Sequence, residues 1–334
     1  MVFTQEKIKK LDTLLRGKGL IIGHQSPDGD SIGSCVGLSL YLKSIGVDSK
    51  VVAPDPFPDF LNWMQGTTDI LIFSRQPELV KETVNSCDFI FTLDFNDLSR
   101  LGDLGVSIEA CGKPIIMIDH HQSPKDYAAL MFSDVNCGST SELICRLIDK
   151  RGDNHRLTES IAEALYCGMM TDTGSFRFSS VSSETHRCVA RLIDSGLKPY
   201  KVHENVFDNQ SYDKLRLLGF ALSQKMVVRP DLSMAYVTLS SEEAKQFDCK
   251  KGDTEGLVNY ALSIKGVRVG AFFREDEGKI KISFRSKGKI RVNELADKYF
   301  NGGGHINAAG GRFDDTIENA VNLFIEKLPE YLNE

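Results

Sequence analysis

Four segments of this sequence end in side chains that can bind a metal ion or move a proton. The apolar run Pro114 to Ile118 closes on Asp119-His120-His121, and Leu20 to Gly23 leads into His24-Gln25-Ser26-Pro27-Asp28-Gly29-Asp30. Phe89 to Leu93 leads into Asp94-Phe95-Asn96-Asp97, and Ile161 to Met170 leads into Thr171-Asp172-Thr173-Gly174. Taken singly, each has a plain reading: aspartate after a strand or before a helix is commonly a turn former or an N-cap. One histidine on an apolar strand is commonly a satisfied core residue. Together, His24, Asp28, Asp30, Asp94, Asp119, His120, His121 and Asp172 include three of the seven histidines, and the joint pattern is that of a metal site. Carboxylates mixed with imidazoles, without thiolate, suit Mn²⁺, Mg²⁺ or a similar ion better than a structural zinc. They are too many for one ion. Two ions about 3.5–4 Å apart with one shared carboxylate would use them all, an arrangement that hydrolyses phosphate esters.

Those residues need elements to carry them. Apolar runs ending in acids and histidines suit buried strands whose carboxyl ends line a ligand crevice. The chain reads as a helix over 4–16, a strand over 19–24 and a helix from Ser31 to Ile45 stopped by Gly46. The Asp28 loop therefore stands at a helix start, which favours anionic groups. Strand 50–53, a short strand 70–73, helix 77–86 and strand 88–94 follow. Strand 114–118 delivers Asp119, and helix 139–151 opens on the capping run Gly138-Ser139-Thr140-Ser141-Glu142. Helix 158–169, capped by Thr158, delivers Asp172. Phe176-Arg177-Phe178 reads either as a strand with two core phenylalanines, the preferred alternative, or as an aromatic and basic contact for a short nucleic acid. Helix 183–195 ends at Gly196. The expected organisation is a catalytic α/β domain over 1–195, a polar, partly helical linker over 196–218 and a smaller mixed α/β domain over 219–334. That second domain reads as strands 224–229, 233–239, 267–274 and 279–285 with helices 241–247, 254–262, 292–299 and 315–331.

Composition sets the bounds. With 334 residues, 41% of them hydrophobic and 26% charged, the chain has the make-up of a soluble two-domain globular protein. Its eight cysteines form no C-x-x-C pair and read as buried thiols of a reducing compartment. The amino terminus has a helical amphipathic pattern rather than a secretory one, and no run of eighteen apolar residues occurs, so a cytoplasmic protein is expected, with no membrane partner. A net charge of −6 argues against a duplex DNA surface. Lys265 to Arg291 nevertheless carries nine basic and three acidic residues, either a solvated hairpin face or a patch that holds substrate phosphates.

The second domain places its chemistry at two points. Phe284-Arg285-Ser286 ends a strand, and Gly302-Gly303-Gly304-His305 reads as a loop whose bare backbone could approach an anion. In the first domain, Arg100 follows the Asp94 segment and could pair with a phosphate or tie its loop to a carboxylate.

The order His24-x-x-x-Asp28-x-Asp30, then Asp94, then Asp119-His120-His121, then Thr171-Asp172-Thr173-Gly174 resembles the DHH phosphoesterase superfamily. Gly302-Gly303-Gly304-His305 followed by Ala308, Ala309 and Gly310 resembles the signature of its DHHA1 domain, and the two-domain layout is most similar to the bacterial oligoribonuclease (nanoRNase) and pAp phosphatase type. The resemblance implies a mainly parallel DHH domain flanked by helices, with a DHHA1 domain across a cleft. It implies that His24, Asp28 and Asp94 hold one ion and Asp30, Asp94, His120 and Asp172 the other, with Mn²⁺ as the ion and Mg²⁺ or Co²⁺ as substitutes. Asp119 would orient the histidines and His121 would face the substrate. Arg100, Arg285, Ser286, Gly302, Gly303, Gly304 and His305 would bind it. The implied activity is metal-dependent hydrolysis of short oligoribonucleotides or pAp, as an exoribonuclease and phosphatase, with a homodimer left open as the assembly. The alternative is a phosphodiesterase for cyclic dinucleotides or their linear products. A RecJ-like exonuclease, a pyrophosphatase and a non-catalytic nucleotide-binding module fit the motifs and length less well. Ser175 stands where many relatives carry arginine, with Arg177 two positions on.

Overall fold

Six apolar strands make the frame of the first half of the chain in a computed structural model that describes residues 2–250, 252–276 and 278–332. They are β1 (Lys18–Ile22), β2 (Asp48–Ala53), β3 (Leu71–Ile72), β4 (Phe89–Leu93), β5 (Ile115–Asp119) and β6 (Leu130–Ser133). The sheet order is β3-β2-β1-β4-β5-β6, with every pair parallel. β4 and β5 are buried at every position, as strands covered on both faces must be, which is why they read as unbroken apolar runs. The order steps outward from β1 to β3, then resumes with β4 on the other side of β1. The switch point therefore lies between β1 and β4, where ligands of open α/β sheets bind.

Helices α1 (Gln5–Leu14), α2 (Gly29–Ser44), α3 (Pro77–Ser86), α4 (Asp103–Ala110), α5 (Thr140–Lys150), α6 (Glu159–Asp172), α7 (Ser183–Asp194) and α8 (Pro199–Phe207) complete this unit, which runs Met1–Asn209. α2 and α6 meet backbone to backbone. A methyl added at Gly33 would lie 2.5 Å from the Ala164 carbonyl oxygen and 3.0 Å from the Gly168 nitrogen, and one at Gly29 would lie 2.3 Å from Thr171 Oγ1. The glycines thus bring the start of α2, with Asp28 and Asp30, against the end of α6, with Asp172. Gly33→Val places its branches against main-chain atoms that cannot rotate away. It is expected to lower the unfolding free energy by about 3 kcal/mol, to be read from denaturant titration against wild type.

The second unit, Gln210–Glu334, contains α9 (Tyr212–Phe220), α10 (Ser241–Gln246), α11 (Leu257–Ser263), α12 (Val292–Tyr299), α13 (Ile317–Lys327) and α14 (Pro329–Leu332). Its strands are β7 (Met226–Arg229), β8 (Met234–Leu239), β9 (Val269–Asp276), β10 (Lys279–Ser286), β11 (Gly303–His305) and β12 (Ala308–Phe313), in the order β11-β12-β10-β9-β8-β7. β8 and β9 pair in parallel and the other neighbours are antiparallel. One core packs Phe273, Phe284, Phe300 and Phe324 together; another joins Leu217, Leu239 and Val258. Among the described residues no helix is long and apolar enough to cross a membrane.

Four local expectations differ. Interval 196–218 carries α8, whose Val202 and Val206 join the first unit's core, and most of α9; the two units part at Asn209 and Gln210. Phe176-Arg177-Phe178 is not a strand. Gly174, Ser175 and Phe176 have φ of 58°, 59° and 62°, a left-handed turn held by Arg177 and Phe178 amides that both donate to the Thr173 carbonyl. Gly302 to Gly304 is not an open loop, because Gly303 and Gly304 pair with Gly310 and Ala309 in a hairpin. A methyl at Gly302 would lie 2.0 Å from the Gly310 carbonyl oxygen, so this glycine serves close packing. Helix 315–331 is divided at Pro329, which cannot continue the α13 hydrogen bonds.

Candidate metal centre

The three central strands each end in a candidate ligand. His24 follows β1, Asp94 follows β4, and Asp119 closes β5 ahead of His120 and His121. Asp94 adopts φ 68°, a left-handed conformation that short polar residues tolerate best. Asp28 is the N-cap of α2, accepting from the Asp30 and Ser31 amides at 3.1 and 3.0 Å. Asp172 is the last residue of α6.

The side chains converge around Asp94. Its Oδ2 lies 3.4 Å from His24 Nε2, and its Oδ1 lies 3.4 Å from His120 Nε2. His24 Nε2 is 3.9 Å from Asp28, and His120 Nε2 is 3.3 Å from Asp172. Two sets of ligand atoms result, His24-Asp28-Asp94 and Asp30-His120-Asp172, each within 4.8 Å of one another. A third set, Asp94-Asp119-His121, shares Asp94.

The imidazoles are fixed by carbonyl oxygens. His24 Nδ1 donates to Gln25 at 2.7 Å and His120 Nδ1 donates to Cys137 at 3.1 Å. A carbonyl only accepts, so each Nδ1 carries the hydrogen, and each neutral ring turns its Nε2 lone pair toward carboxylate oxygens. Lone pairs and anionic oxygens at such distances need a proton or a cation among them. Burial disfavours the charged form of His24 and His120, but Asp94, with Asp28 or Asp172, outweighs it: His24 is raised, and His120 well above the usual histidine range. Burial and the charges of Asp94 and Asp172 push Asp30 well above the carboxylate range, and burial pushes Asp172 up to about 6. Burial also opposes charge on Asp94, yet hydrogen bonds from His120 and His24 hold it well below. Crowded acids holding protons beside oriented imidazoles are the donor set of a divalent cation site, in which the cation replaces the protons.

Several partners carry no metal-binding side chain, and sequence reasoning missed them. The Asp30 carboxylate accepts from the Thr140 and Ser141 amides at 2.7 and 3.0 Å, and the Thr140 hydroxyl donates to Asp94 at 3.0 Å. The small-residue opening of α5 was read as capping its own helix; Ser139 does so, accepting from the Glu142 amide. Its other amides cap a carboxylate 110 positions away. Asp119 is fully buried, with Oδ1 accepting from His121 Nδ1 at 2.7 Å.

Residues 18–169 match the DHH family N-terminal domain and residues 231–334 match the DHHA1 domain. A bifunctional oligoribonuclease and PAP phosphatase of Thermus thermophilus is 32% identical, over 98% of this chain and 95% of that one. The chain belongs to the DHH family. A second relative carrying the same description, from Bacillus subtilis, is 27% identical over 86% of each chain. The crystal structure of an exopolyphosphatase-related protein from Bacteroides fragilis superposes with a TM-score of 0.93 at 41% identity, covering 98% of this chain and 97% of that one.

In the DHH unit, Arg100 sits exposed on a short 3₁₀ turn, Leu98–Leu101, and its charge acts on His24. Among the described residues it closes no ion pair, so the tie to a carboxylate is not seen. In the DHHA1 unit, His305, Ala308 and Arg285 are register partners across β11, β12 and β10, which puts His305 and Arg285 on one face of that sheet. Ser286 is buried, and its hydroxyl donates to the Ile290 carbonyl at 2.6 Å and accepts from Asn307 at 2.8 Å, so the hydroxyl is engaged within its own loop. Four of the nine basic residues of the stretch Lys265 to Arg291 form ion pairs nearby: Arg274 and Lys281 with Asp276, Lys279 with Asp314 and Arg291 with Glu294. That supports the solvated-hairpin alternative for those four.

Proposed function

We propose that the protein is an exoribonuclease and phosphatase that hydrolyses short oligoribonucleotides and pAp at a two-ion centre, with Mn²⁺ the preferred ion. The observation that carries this reading is the placement of Asp94, whose two carboxylate oxygens face two different ligand sets. When bound, such a pair of divalent ions supplies a nucleophile at neutral pH and stabilises charge on the phosphoryl group. The chain supplies the rest. His24, Asp28 and Asp94 hold one ion, and Asp30, Asp94, His120 and Asp172 hold the other. Asp119 fixes the His121 tautomer and ring orientation through the 2.7 Å bond. With Nδ1 so committed, Nε2 is the atom left to face the substrate, and as the imidazolium the ring gives its Nε2 proton to the leaving oxygen and ends neutral with hydrogen on Nδ1. Arg100, Arg285 and His305 bind substrate phosphate, and the Gly302 to Gly304 hairpin gives the anion access to bare backbone beside His305.

Selectivity for small substrates is tested with a dinucleotide RNA, pAp, a twenty-nucleotide RNA, a cyclic dinucleotide and pyrophosphate, each incubated with Mn²⁺ and separately with EDTA. The dinucleotide and pAp are expected to react fastest, and only with metal. Equal rates for the twenty-nucleotide RNA, or faster hydrolysis of the cyclic dinucleotide or pyrophosphate, would overturn the substrate assignment.

A further inference from the structure

We infer that Gly168 is a positioning residue for the ion held by Asp30, His120 and Asp172, because the side chain it lacks is the space in which the Asp30 carboxylate lies. A methyl at Gly168 would stand 2.6 Å from Asp30 Oδ1, 2.0 Å from Ser141 Oγ and 2.8 Å from Ser141 Cβ. Gly168 lies one helical turn before Asp172 on the same face of α6, so the bare surface below Asp172 is where Asp30 rests. The carboxylate is closed in from three sides: its own helix α2, the Thr140 and Ser141 amides of α5 at 2.7 and 3.0 Å, and the Gly168 notch. Asp30 is 1% exposed, which leaves it no free direction of retreat. Any group at position 168 therefore shifts Asp30 relative to Asp172 and His120. None of the three atoms nearest the added methyl belongs to the His24-Asp28-Asp94 set, so the displacement starts at Asp30 and reaches that set only through the Thr140 bond to Asp94.

The inference rests on the two-ion reading and predicts a split of the two affinities. Gly168→Ala is expected to keep one Mn²⁺ at wild-type affinity and to bind the other about tenfold or more weakly, the range seen when groups that orient metal ligands are lost. Gly37→Ala is the control. Its methyl meets Leu165 Cδ2 at 2.6 Å on the same helix pair, so it perturbs packing and should leave both affinities intact. The measurement is Mn²⁺ titration of the metal-free full chain, with free ion followed by electron paramagnetic resonance and melting recorded alongside. If Gly168→Ala does not fold, Gly168→Ala with Ser141→Gly removes the contacts to the serine side chain and keeps the one to Asp30; the fold should return without the weaker ion. Two wild-type affinities in Gly168→Ala, or in the double variant, overturn the inference. A wild type that takes up one ion overturns the two-ion reading instead, and the effect of Gly168→Ala on that ion still decides the role of Gly168.

Discussion

Asp94→Asn is expected to fold and to lose at least about 10³ of kcat/KM, roughly 4 kcal/mol of transition-state stabilisation. Asparagine is the informative replacement. Position 94 has φ 68°, which asparagine tolerates as aspartate does, whereas alanine would add about 1–2 kcal/mol of backbone strain and confuse lost chemistry with lost stability. The amide oxygen can still accept from the Thr140 hydroxyl, now at 3.0 Å. What disappears is the charge that faces His24 with one oxygen and His120 with the other. Both ligand sets are weakened at once, so neither raised ion concentration nor a change of ion should restore the rate. Steady-state kinetics across a Mn²⁺ series checks this, and substantial activity at saturating Mn²⁺ would show that Asp94 does not join the two sets.

Saturating Mn²⁺ should raise the melting temperature by about 10–20 °C at pH 8, from about 2.7 kcal/mol for each of two ions at a hundredfold excess over Kd and about 2–4 °C per kcal/mol for a domain of this size. At pH 5.5 the shift should be much smaller. The direction follows from proton linkage. His24 and His120 have folded-state values raised above the ordinary one of about 6.5. They stabilise the metal-free fold fully below that pH and cease to do so as pH rises through their folded values. Asp30 and Asp172 are also raised, and for Asp172 the contribution is lost between about 3.9 and about 6. Asp94 is depressed; its contribution is lost only in stronger acid and stays constant across this window. The metal-free protein therefore weakens from pH 5.5 to 8, while ions gain the deprotonated ligands they require. Melting curves at both pH values, with Mn²⁺ and with EDTA, measure the effect; an equal shift at both would contradict the linkage.

Much of this was legible before the structure because the ligands stand at the ends of strongly patterned elements. Unbroken apolar runs in β4 and β5 announced buried strands, and Gly46 and Thr158 marked helix ends that the structure keeps, with φ 81° at Gly46 and the Thr158 hydroxyl accepting from Ile161. The grouping of His24, Asp28, Asp30, Asp94, His120 and Asp172 needed no more than their position at those ends. The edge strand β6 was missed because it is four residues long and only alternately buried. The left-handed turn at 174–176 was missed because Ser175 and Phe176 do not favour positive φ by themselves; amide bonds to Thr173 and the packing of Phe176 against Tyr166 and His186 hold them there. Least visible were the groups that act without a distinctive side chain. The α5 amides on Asp30 and the glycine contacts between α2 and α6 depend on distant segments meeting, and local pattern carries no signal for them. The glycine run at 302–304 looked like a loop because a tight hairpin and an anion loop share a requirement for missing side chains.

The most direct test of the central claim is a crystal of the full chain grown with Mn²⁺ and measured at the manganese absorption edge. The account predicts two anomalous peaks about 3.5–4 Å apart, one beside His24 and Asp28, the other beside Asp30, His120 and Asp172, with Asp94 between them. A single peak, or two that do not share Asp94, would contradict it.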